Sequence, residues 1–125
     1  MLNVQADIRQ RLETALGGVE VRVSVPADRP AELVTVTRIG GHPINALQDD
    51  AQLGVMCWAA TEQRAWELAN AVNAAMLELR AHGFAAGYSD VTCDSMRSFA
   101  DPDEPKQPRW FASYTLRTHD AITND

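Results

Sequence analysis

Between Thr61 and Gly83 the chain reads TEQRAWELANAVNAAMLELRAHG, and Ala65, Leu68, Ala69, Val72, Ala75, Met76 and Leu79 fall on one stripe of a 3.6-residue repeat. Thr61 supplies a hydroxyl to cap the first turn, and Gly83 stops the last one. At 1.5 Å per residue such a helix is roughly 30 Å long, enough to cross a small sheet. A stripe that apolar has to be buried against something, and the flanking sequence shows what.

Most of the flanking sequence has a period of two. VEVRVSV places Val19, Val21, Val23 and Val25 on one face and Glu20, Arg22 and Ser24 on the other, the pattern of a half-buried strand. Pro26 and Pro30 lack the N–H that a ladder needs and close this strand off. A second strand is expected over about 33–39, with Leu33, Thr35, Thr37 and Ile39 opposite Val34, Val36 and Arg38. Gly40-Gly41 then opens a loop through GGHPINALQDD. A third strand, about 51–59, is apolar on both faces and belongs in the middle of the sheet. After the long helix come a polar strand over about 88–98, the proline- and acid-rich FADPDEPKQP loop, and a last strand. In that strand Trp110, Ala112, Tyr114, Leu116 and Thr118 alternate with Phe111, Ser113, Thr115 and Arg117. Ahead of all these, Val4, Ile8, Leu12, Ala15 and Leu16 make a shorter helix that Asn3 can cap and Gly17-Gly18 ends.

The order is α-β-β-β-α-β-β. It predicts an α+β two-layer sandwich, a mixed or antiparallel sheet of about five strands with both helices on one face. Its 125 residues make one domain over 1–119, with a polar tail at 120–125.

Chemistry is sparse. The net charge is −6, and ten of the eleven basic residues are arginine. That balance excludes a sequence-independent nucleic-acid binder, which needs clustered cations to displace counterions, and favours fixed ion pairs over a lysine-rich solvated surface. His42, His82 and His119 are isolated, and no HxxxH or HExxH pairing supplies a metal site on one element. His82 suits the last turn of a helix, where positive charge is mildly favourable. Asp49-Asp50 and the trio Asp101, Asp103 and Glu104 read as solvated loop acids; they lack the spacing of a calcium loop or a defined acid pair. No GxSxG elbow or phosphate loop is present. No catalytic residue, metal or cofactor is expected, and the chain is not expected to be an enzyme.

Cys57 and Cys93 form no CxxC, and Cys57 lies in an apolar run that suits a buried free thiol. No signal segment opens the sequence and no stretch is long and apolar enough to span a membrane, so a reducing, cytoplasm-like compartment is expected. Of the three tryptophans, Trp58 and Trp110 sit in strands and suit the core. Trp66 lies off the buried stripe in line with Asn70, Asn73 and Leu77, either as a lid on the sheet edge or as a subunit contact.

The pattern resembles the tail terminator, or tail-to-head completion, proteins of long-tailed bacteriophages. The likeness rests on Val25-Pro26-Ala27-Asp28-Arg29-Pro30, then Val34, Val36, Arg38, Gly40 and Gly41. It continues with Asp50, Leu53, Val55, Cys57-Trp58-Ala59 and the helix residues Ala65, Leu68 and Ala69, and ends with the acidic loop Pro102 to Pro108 before Arg109-Trp110. It covers about residues 5–118. The resemblance implies a virion protein at the head-proximal end of the tail, assembled in the host cytoplasm. Its subunits would close into a ring, commonly a hexamer, that caps the tail tube, stops its polymerisation and meets the neck. Its partners would be copies of itself, the tail tube protein and the head-tail connector proteins. The genome would pass through an acidic lumen without sequence-specific binding, and no membrane would be involved.

A ring needs one edge of a subunit to complement a different edge of the next. Stiff loops suit this because they lose little entropy on contact. The expected interface comprises Asp28, Arg29, Arg38, His42, Asp49, Asp50, Trp66, Asp101, Asp103 and Glu104. For Arg29 and Arg38 two readings stand side by side: charge-assisted contacts to a neighbour's carboxylates, or pairing and solvation within the subunit. A head-closure or other neck protein is the alternative within this class. A small ligand-binding α+β module with an apolar pocket between sheet and helix is the alternative outside it.

Overall fold

A computed structural model describes residues 1–98 and 107–119. It contains α1 (Val4–Leu16), β1 (Glu20–Arg22), β2 (Leu33–Pro43), β3 (Asp49–Trp58), α2 (Glu62–His82), a 3-10 turn (Phe84–Ala86), β4 (Tyr88–Ser98) and β5 (Arg109–Thr118). The strands form one sheet in the order β1-β2-β3-β5-β4. Every neighbouring pair is antiparallel except β1 with β2, which is parallel. This is the α+β sandwich with a mixed five-stranded sheet that the order of elements predicts.

The helix ends are where their local chemistry puts them. Asn3 Oδ1 accepts from the Ala6 N–H at 3.2 Å, and Gly17 ends α1 in the left-handed region at φ 45°. Thr61 Oγ1 accepts from the Arg64 N–H at 3.1 Å, and the Gly83 N–H returns to the Leu79 carbonyl. Val4, Ile8 and Leu12 of α1 join Ala65, Leu68, Ala69, Val72, Met76 and Leu79 of α2 in one core. The sheet contributes Val34, Val36, Leu53, Val55, Cys57, Ala112, Tyr114 and Leu116 to it. Cross-strand register places these residues in rows, such as Val36–Val55–Ala112 and Val34–Cys57–Trp110, on the face that meets the helices. Each fully buried aliphatic side chain contributes about 1.5–3 kcal/mol over an exposed one. The alternate rows, Thr35–Met56–Phe111–Arg97 and Thr37–Gly54–Ser113–Ser95, lie on the face turned away from the helices.

Three expectations are corrected. The first strand is three residues long, not seven, and Val23 and Val25 are exposed. The reason is its place at the sheet edge: after Arg22 the chain leaves the ladder, and the Val23 carbonyl accepts from the Thr37 hydroxyl at 2.9 Å. The second strand does not end at Ile39. It runs through both glycines to Pro43, with a bulge between Arg38 and Gly40. Gly41 stands at φ +83°, where a Cβ would lie 1.9 Å from the Asp50 carbonyl oxygen, so glycine permits the strand to continue where another residue would stop it. The third strand accordingly begins at Asp49, and the expected eleven-residue loop shrinks to the turn Ile44–Gln48. Asp49 and Asp50 are therefore strand residues and not solvated loop acids.

Candidate interaction surface

Asp49 is 3% exposed at the start of β3. Arg38, one bulge away on β2, grips it with both terminal nitrogens, at 2.6 Å to Oδ2 and 2.9 Å to Oδ1. The Arg38 Nε–H donates to the Gly40 carbonyl across the bulge at 3.1 Å, and its backbone N–H donates to Gln5 Oε1 on α1 at 2.6 Å. The Asp49 N–H donates to the Thr118 hydroxyl at 3.2 Å. The Arg38 hydrogen bonds hold the Asp49 carboxyl below its ordinary pKa despite the opposing effect of burial. The same logic applies to Asp50, whose carboxylate receives Arg117 Nε and Nη2 at 2.8 and 2.9 Å and is lowered by them. Both arginines are thus engaged within the subunit, and the Arg38–Asp49 pair locks the root of the β2–β3 hairpin.

Beyond that root the hairpin is exposed, from Ile39 through Leu47 apart from a partly covered Gly40. Its tip is fixed by its own hydrogen bonds. The Ile44 N–H donates to the Gln48 carbonyl at 2.8 Å, and Asn45 Oδ1 accepts from the Leu47 and Gln48 N–H groups at 2.8 and 2.9 Å. The tip presents Ile44 and Leu47, 43% and 51% exposed, with His42 on the strand opposite Asp50. Two large aliphatic side chains held in water on a rigid turn have no local reason to be apolar.

The Pro26–Pro30 connector lies against the sheet end. The Arg29 guanidinium carbon sits 5.3 Å from the Trp58 ring centroid, and Arg109 is 5.9 Å from the same ring. Arg29 Nη1 donates to Gln107 Oε1 at 3.1 Å, while Gln107 Nε2 donates to the Ala31 carbonyl at 3.3 Å. Trp58 and Leu33 are buried beneath this clasp, on the face away from the helices. Asp28 is exposed at the connector's crest. The connector therefore holds Arg29 inward and leaves Asp28 outward. At its far end Glu32 binds Arg64 of α2 through both carboxylate oxygens, which lowers the Glu32 pKa.

Trp66 is 39% exposed and rests against Trp110, with ring centroids 5.0 Å apart. It covers the β5 side of the sheet while keeping one flank in water. Asp101, Asp103 and Glu104 lie outside the described residues. The expected site residues thus do not form one cluster. Arg38, His42, Asp49 and Asp50 gather on the hairpin, Asp28 and Arg29 on the connector, and Trp66 beside α2.

Two open grooves border α2. One, about 250 Å³, lies between the helices and is lined by Ile8, Leu12, Ala15, Ala75, Met76 and Leu79, with Arg11, Glu78 and His82 among its rim residues. The other, about 330 Å³, runs between α2 and β4 past Asn73, Leu77, Arg80, Cys93 and Tyr114. The Tyr114 hydroxyl donates to Asn73 Oδ1 at 3.0 Å, and burial raises its pKa. Among the described residues no three His, Cys, Asp or Glu side chains converge to hold a metal ion, and no helix is long and apolar enough to cross a membrane.

Sequence reasoning passed over Ile39, Ile44, Leu47, Gln5 and Gln107. Ile44 and Leu47 carried a usable signal, as two aliphatic residues inside an otherwise polar turn. Gln5 and Gln107 carried none, since their roles depend on partners 33 and 78 residues away. No protein-family model matches the chain, and no curated protein matches it.

Proposed function

We propose that this chain is a structural subunit that closes into a ring, as a tail terminator capping a phage tail tube and offering a surface to the neck. The observation that carries the reading is the β2–β3 hairpin: a stiff arm, locked at its root by a half-buried ion pair, that holds two aliphatic residues in water. Such an arm is an interaction element awaiting a partner. The sheet face turned away from the helices, with the Arg97 guanidinium carbon 5.9 Å from the Phe111 ring, offers a second surface of the arginine-aromatic type enriched at interface hot spots. In this reading Asp28, His42 and the outer flank of Trp66 face partners. Arg29, Arg38, Asp49 and Asp50 shape the elements that make the contact.

Light scattering with negative-stain imaging of the purified protein tests ring formation. Addition to polymerising tail tube protein then tests termination, with tubes expected to stop growing. Tube growth unaffected by the protein, together with binding to portal or adaptor rings, assigns it instead to head closure. A small-ligand module is the reading the groove between α1 and α2 favours, and saturable stabilisation of a monomer by a small apolar molecule is its signature.

A further inference from the structure

We infer that the hairpin tip of one copy seats in the groove between α1 and α2 of the next copy, an inference that rests on the ring reading above. Knob and socket sit on different elements of the same chain, so engaged head to tail they form a heterologous contact that can propagate around a ring. The knob is Ile44 with Leu47, held in place by the Asn45 turn. The socket is about 250 Å³, room on the order of two aliphatic side chains, and its apolar lining includes the small residues Ala15 and Ala75.

Charge is compatible with this pairing of surfaces. Copies of a chain with net charge −6 repel one another, yet Ile39–Gln48 contains no acidic residue. At the groove Arg11 donates to Asp7 at 2.7 Å, and the Glu78 carboxylate, 3.7 Å from the His82 ring, is 74% exposed and keeps its hydration. These surfaces can meet without burying an unpaired charge.

Size sets how the contact behaves. The exposed parts of Ile39, Ile44 and Leu47 amount to a few hundred Å², below the roughly 800 Å² per partner of a stable pairwise interface. The knob alone does not hold a dimer; it contributes when ring closure or a template makes all copies engage together.

The test uses the full chain carrying Cys93→Ser, so that no exposed native thiol remains among the described residues. Leu47→Cys with Ala15→Cys is treated with a short bismaleimide, and each single variant serves as control. A ladder of covalent oligomers from the double variant alone is expected. Ile44→Ser with Leu47→Ser is expected to raise the concentration needed for assembly at least tenfold while leaving the monomer's melting temperature within a few degrees. A wild-type ring whose size and concentration dependence survive the serine substitutions, with no ladder, overturns the knob-and-socket contact and leaves the ring reading standing. A wild type that stays monomeric up to its solubility limit and does not affect tube growth, with no ladder from the double variant, overturns both.

Discussion

Replacing Asp49 with asparagine isolates the ion pair at the hairpin root. The substitution keeps the side chain's size and removes its charge, leaving Arg38 with a neutral partner. Breaking a fully buried pair costs about 3–5 kcal/mol. Here the Asp49 side chain is 4% exposed but that of Arg38 is 33% exposed, so the guanidinium recovers part of its hydration and the cost falls to about 2 kcal/mol. With an unfolding entropy of roughly 2.1 cal/mol/K per residue, about 0.26 kcal/mol/K for the 125-residue chain, the melting temperature drops by about 8 °C at pH 7. The pH dependence has a definite sign. The Asp49 pKa is depressed in the folded state by Arg38. Its contribution is therefore fully present above the unfolded value near 3.9, and is lost as pH falls through the lower folded value. Thermal melts followed by circular dichroism should show the gap between wild type and variant intact from pH 7 to 5 and narrowing below about pH 4. Asp50 and Glu32 titrate in the same window, but they are common to both proteins and cancel in the gap. A gap under about 2 °C at pH 7, or one of equal size at pH 7 and pH 2.5, refutes the reasoning. A double-mutant cycle with Arg38→Ala should return a coupling of at least about 1 kcal/mol.

Arg29→Ala removes the Trp58 stack and the Gln107 hydrogen bond and should lower stability by about 1–2 kcal/mol in chemical denaturation. Because that guanidinium faces its own subunit, oligomer size should not change; a smaller oligomer at unchanged stability would return Arg29 to the subunit contact. Gly41→Ala forces a Cβ to within 1.9 Å of the Asp50 carbonyl oxygen at φ +83° and should cost about 3 kcal/mol or more, read as a melting shift above 10 °C. A shift under 3 °C would mean that the hairpin root rearranges freely. Thiol titration should find Cys93 reactive in the native protein and Cys57 silent until denaturant is added. Burial pushes the Cys57 pKa up to about 12, leaving almost no thiolate at neutral pH.

The two helices and the central strands were legible because their determinants are local. A capping Asn3 or Thr61, a stopping Gly17 or Gly83 and the spacing of Leu68, Val72 and Met76 act within a few residues of each other. Alternation separated Val34 and Val36 from Leu33 and Thr35 on opposite faces of the sheet, and the tertiary packing shows that the face of Val34 and Val36 is the one that meets the helices. The candidate site was legible only in part. His42 and Asp28 stay on the surface as expected, but the glycine pair was misread, because a double glycine in isolation signals a turn. Its use to bulge a continuing strand depends on how closely the Asp50 backbone approaches.

Taken alone, the sequence determined the order of elements, the α+β class and the composition of the core, since periodicity and caps are short-range properties. Only the tertiary structure decided which charges face inward and which apolar residues stay in water. Arg29 meets Gln107 across 78 residues, Tyr88 donates to Asp7 across 81, and Arg64 reaches Glu32 across 32. An arginine's partner is chosen by the sheet register and by the path of the connectors. No window of the chain contains both ends of such a contact, so the same residue types could have formed an interface or a clasp until the fold brought them together.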